Sequence, residues 1–145
     1  MTITKIDKLD FIPEVGPENN LINTVVKEGE KIGAHLFLAE KSLDIGDLTS
    51  ASLYVREEFH SEVPLYYDCG KMFEKIADVY VERKEYEKAI ENIEYSISSW
   101  MKEADRVKSL GGNTRICYNN INKLEKINKD IYKLIHNSKS KLNMR

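Results

Sequence analysis

FEKIADVYVERKEYEKAIENIEYSI, from Phe73 to Ile97, is the stretch that decides the fold. Phe73, Ile76, Ala77 and Tyr80 recur at steps of three and four; after Lys84-Glu85, so do Tyr86, Ala89, Ile90, Ile93 and Ile97. That spacing lays one apolar stripe along each of two helices. A short polar turn folds the second helix back on the first. Helices in a tight hairpin approach closely only where small residues meet, and Ala77 and Ala89 supply them. Phe73, Tyr80 and Tyr86 fill the space on either side of the crossing.

Working outward, one register repeats. Leu38-Ala39, Gly46-Asp47-Leu48 and Ala51 align with Ile76-Ala77, Lys84-Glu85-Tyr86 and Ala89 at an offset of 38 residues. His35 then stands where the second copy has Phe73, and Ser52 follows Ala51 where Ile90 follows Ala89. The second copy resembles a tetratricopeptide repeat (TPR): Phe73 at the first aromatic place, Ile76-Ala77 for Leu-Gly, Tyr80 for Tyr, and Ala89-Ile90 as the close-contact pair. The first copy is degenerate, and the period exceeds the family's length of about 34 residues. The resemblance spans residues 32–101 and implies TPR-like antiparallel helical hairpins that hold a partner protein in a groove. Some members grip acidic chaperone tails with a Lys-Asn-Arg clamp. At the corresponding places this chain has Leu36, Glu40 and Lys75, without the asparagine, which argues against that route.

The rest of the chain fits an all-α fold of about five helices and one domain, residues 1–145. An extended segment over 1–16 ends at Pro13, Gly16 and Pro17. Leu21, Val25, Gly29, Ile32, Leu36, Ala39 and Leu43 predict one helix from Pro17 to about Ile45. Gly46-Asp47 ends it, and a second helix runs from about Leu48 to His60. Pro64 opens a third, about Leu65–Arg83, and the fourth, from Tyr86 to about Leu110, stops at Gly111-Gly112. The two hairpins thus occupy 17–110. The final helix, within 113–145, carries Cys117, Ile121, Leu124, Asn128, Ile131, Ile135, Ser138 and Leu142 at heptad spacing. With Ile116 added, its stripe is too apolar for water, so it is expected to cap the second hairpin and to fray beyond about Asn137.

Charge is unevenly spread. Residues 1–114 carry 14 Lys/Arg against 22 Asp/Glu, whereas 115–145 carry 8 against 2, making the last helix basic. No apolar run approaches the roughly 20 residues of a membrane span, and the start lacks a secretory pattern. A cytoplasmic location is the expectation. Cys69 and Cys117 form no CxxC pair and read as buried thiols.

There is no P-loop, dinucleotide fingerprint or Gly-x-Ser-x-Gly elbow. His35, His60 and His136 lie on separate helices without a second ligand at i+3 or i+4, so no metal site is predicted. The carboxylates Glu74, Asp78, Glu82, Glu87, Glu91 and Glu94 alternate with lysines and arginines, as on a solvated face. The expectation is no catalysis and no cofactor.

The leading expectation is therefore an adaptor or dedicated chaperone that holds a partner's helix or extended segment. Its groove candidates are Lys31, His35, Tyr66, Tyr67, Lys71 and Asp78 on the first helices of the two hairpins. Adjacent tyrosines on a helix cannot both face the core, and tyrosine suits interfaces. One alternative is nucleic-acid binding by Lys123, Lys126, Lys133 and Lys141 with Tyr118 and Tyr132 stacking, against which stands the acidic body. Another is a structural homo-oligomer subunit.

Overall fold

A computed structural model describes residues 33–143, and among them the chain is all helix: α1 (Ala34–Asp44), α2 (Leu48–Phe59), α3 (Tyr66–Glu82), α4 (Tyr86–Ser109) and α5 (Arg115–Asn143). The segment 1–32, with the extended stretch over 1–16, the start of the first helix and Lys31, lies outside the described residues. One expectation is corrected here. The first helix does not run unbroken to Ile45, because Gly33 has φ +95 and the helix starts only at Ala34. A left-handed residue cannot continue a right-handed helix, and glycine adopts that φ without strain.

The 38-residue offset reappears in the backbone. After α1, Gly46 N–H donates to Leu43 O and Asp47 N–H to Ser42 O; after α3, Lys84 N–H donates to Val81 O and Glu85 N–H to Tyr80 O. Both are Schellman closures, with the left-handed residue at Gly46 (φ +82) or Lys84 (φ +61). The third, at Gly111-Gly112, ends α4 in the same way. Each closure consumes the loose carbonyls of one helix and delivers the chain directly into the next. Asp47 caps α2 by accepting the Ser50 N–H at 3.1 Å, and the Ser50 side chain, then that N–H, hold its carboxyl below the usual value.

The four alanines of the paired positions all lie in the core. Ala39, Ala51 and Ala89 are fully buried and Ala77 is 1% exposed. In the second hairpin the start of α3 lies against the far half of α4. Ser96 Oγ donates to Gly70 O at 2.6 Å, and a Cβ on Gly70 would stand 2.7 Å from Trp100 Nε1. The helices are therefore antiparallel, and Gly70 is the residue that lets the indole lie on the α3 backbone.

The two hairpins are joined by aromatic and polar contacts. Phe59 of α2 meets Tyr66 and Tyr95 edge-on at 5.6 and 5.7 Å, and Phe73 stacks on Tyr95 at 5.0 Å. Buried Ser52 donates to Asn92 Oδ1 at 2.9 Å, and Asn92 Nδ2 donates to Lys88 O, so this buried amide is paired at both ends.

Helix α5 packs along the second hairpin through Cys117, Ile121, Leu124 and Ile131, with Lys123 bound to Glu74 at 2.9 Å. Fully burying each such aliphatic side chain contributes about 1.5–3 kcal/mol, against at most about 1 kcal/mol for an exposed ion pair. Hydrophobic burial sets where this helix lies. Ile116 is a correction: it is 62% exposed, because the buried phase begins at Cys117 and Ile116 sits a hundred degrees round the helix. The helix runs to Asn143, with residues 136–139 exposed.

Candidate functional site

Helices α1 and α3 lie side by side with their starts together, a Cβ on Gly33 standing 3.8 Å from Leu65 Cδ1. Glu58 fixes that arrangement from below. Its side chain is only 4% exposed; Oε2 accepts the Leu65 N–H at 3.0 Å and Oε1 lies 3.3 Å from His35 Nδ1. One buried carboxylate thus ties the end of α2 to the starts of α1 and α3.

Between α1 and α3 the surface opens into a cleft of about 330 Å³ lined by Leu36, Phe37, Glu40, Asp68, Lys71, Met72 and Lys75. Its floor is apolar: Met72 is 8% exposed, and Phe37 presents 44% of its surface. Its rim is charged, with two lysines on successive turns of α3 and a carboxylate from each helix. Among the described residues, none of these four charged groups has an opposite charge within 4 Å. Lys41 extends over Phe37 at 5.5 Å and Lys71 over Tyr67 at 5.4 Å, both in cation–π range.

The residues proposed for the groove divide. Lys71 lines the cleft; Tyr67 is not in its lining and meets Trp100 edge-on at 5.0 Å beneath the Lys71 ammonium. Tyr66 turns inward onto Phe59, so the adjacent tyrosines split between core and surface as their spacing demands. His35 is committed to Glu57 and Glu58 and acts as a brace between α1 and α2. Asp78 is not in the cleft. It faces α5, where burial and then Glu74 push its carboxyl up while Lys123 pulls it down. Lys31 lies outside the described residues.

Leu36, Glu40 and Lys75, picked out by alignment with the chaperone-tail clamp, do share one cleft. Phe37, Asp68 and Met72 were not foreseen. An aromatic beside the stripe residue Leu36 was the one available signal, since Phe37 has no place on the α1 core face.

Neither thiol is poised to react. Both cysteines are free and buried. Burial, then Glu58 and Asp68, pushes Cys69 up to about 12, and burial with Glu103 also raises Cys117. Among the described residues no three His, Cys, Asp or Glu side chains converge to hold a metal, and no helix is long and apolar enough to cross a membrane. Compared with protein-family models, with curated proteins and with solved structures, the chain finds no match.

Proposed function

We propose that this chain is a protein-binding module, an adaptor or dedicated chaperone whose two TPR-like hairpins hold a partner's helix or extended segment in the α1/α3 cleft. The observation that carries the reading is Phe37: an aromatic ring left 44% exposed on an apolar floor, ringed by charges that among the described residues have no partner. The antiparallel pairing of α3 and α4, with Ala77 and Ala89 buried, supports the TPR-like assignment. A non-catalytic role accords with thiols held protonated, and free thiols suit the reducing cytoplasm.

The test is a photo-crosslinker placed at position 37 or at position 45 of the full chain in its own cell. Both positions are exposed, but Ile45 lies in the first turn, away from the cleft lining. A discrete protein adduct from position 37 only, abolished by Met72→Arg, is the expected outcome. Equal labelling from both positions removes the cleft from consideration.

A further inference from the structure

Helix α5 has two ridges with the same step pattern. Cys117, Ile121, Leu124, Asn128, Ile131 and Ile135 face the second hairpin. Arg115, Asn119, Asn122, Lys126, Lys129 and Lys133 recur at steps of four and three on the opposite side, and all six are exposed. That outer ridge carries no carboxylate; Glu125 and Asp130 flank it. Residues 1–114 carry an excess of eight acidic groups, yet the only α5 cation that reaches a carboxylate among the described residues is Lys123. The fold thus turns four cations away from the acidic body that would otherwise neutralise them.

We propose that this outer ridge of α5 is a docking surface for an acidic protein segment, separate from the α1/α3 cleft. Charge complementarity is the first argument: positive charge unmatched within the molecule raises the local concentration of anions and orients them. Size is the second. From Arg115 to Lys133 the ridge is about 27 Å long and one helix wide, which matches a short acidic peptide. The aromatic rings of α5 are placed badly for nucleic acid. Tyr118 and Tyr132 share one side of α5 with Glu125, each seven residues from it, so bases stacked there draw their phosphates over an anion. Asn119 and Asn122 lie among the cations and offer donors and acceptors to a peptide backbone.

The experiment uses the full chain and a fluorescent deca-glutamate peptide, with anisotropy read at about 50 mM and about 200 mM salt. Binding at low salt that weakens at high salt is expected. The double variant Lys126→Glu/Lys133→Glu should weaken it by about tenfold or more, with an unchanged helical spectrum. Lys102→Glu/Lys108→Glu, an equal charge change on α4, should leave it within about twofold. Equal loss in both doubles overturns the proposal, because net charge alone then explains the binding. So does tighter binding of a ten-nucleotide single strand or of phosphatidylserine vesicles, or no binding of the peptide at low salt.

Discussion

At the turn of the first hairpin the left-handed position is Gly46; in the second, at the same hydrogen-bonded place, it is Lys84. Thirty-eight residues separate many such pairs, and their differences run in both directions. His35, whose side chain is 39% exposed, corresponds to fully buried Phe73, and Ser42 corresponds to Tyr80. The first hairpin has helices of 11 and 12 residues; the second has 17 and 24. The first carries the ideal turn and a thin core, the second a strained turn and a thick one. A shared backbone plan thus says little about where stability resides. Beyond its own small core, the first hairpin is tied to the second through Phe59, Ser52 and Glu58.

Replacing the paired aromatic positions should break this comparison most visibly. Phe73→Ala should cost about 3–5 kcal/mol by opening the aromatic cluster, and His35→Ala only about 1 kcal/mol, since Glu58 keeps the Leu65 N–H. Urea melts of both variants check this, and equal losses would erase the asymmetry. Gly70→Ala comes next. Its methyl meets the indole at 2.7 Å, so α3 and α4 must part, at about 1–3 kcal/mol in thermal unfolding. No position in α1 or α2 should be as intolerant of one added methyl.

The two turns should respond with opposite signs. Gly46→Ala puts a side chain at φ +82, with Arg83 Nη2 3.3 Å from its Cβ, and should lower stability by about 1 kcal/mol. Lys84→Gly relieves a left-handed lysine and should raise stability by about the same amount, offset slightly by the freer unfolded chain. A melting temperature that falls in both variants would mean the Lys84 turn is not strained.

The smallest effect is at Asp78. Its folded value is raised, so the folded chain holds this proton more tightly than the unfolded chain does. Any gain is present in acid and is lost as pH rises through the folded value. Asp78→Asn should therefore match or slightly exceed the parent chain at neutral pH and lose that margin in acid. A stability profile shifted the other way would show Lys123 outweighing burial and Glu74.

The hairpin crossing was legible because it depends on local spacing: small residues at Ala77 and Ala89 between apolar stripes mean the same thing wherever they occur. The break at Gly33 was not, since the stripe from Ile32 to Leu36 continues across it and a dihedral angle leaves no mark on periodicity. Ile116 was misplaced by one residue, which on a helix is enough to turn a core side chain into a surface one. Of the cleft lining, Lys71 could be read from its own helix. Asp78 could not, because its neighbour Lys123 is 45 residues away and reaches it only once α5 has docked.

The indole on Gly70 belongs to the chain's single tryptophan, 1% exposed and, among the described residues, without a partner for its Nε1–H. An indole in so dry a setting emits toward the blue and shifts red when water reaches it. Tryptophan emission, excited apart from the eight tyrosines, therefore follows the second hairpin, whereas circular dichroism follows every helix. If the thin first hairpin opens before the thick one, ellipticity will begin to fall at a denaturant concentration where the emission colour has not yet moved.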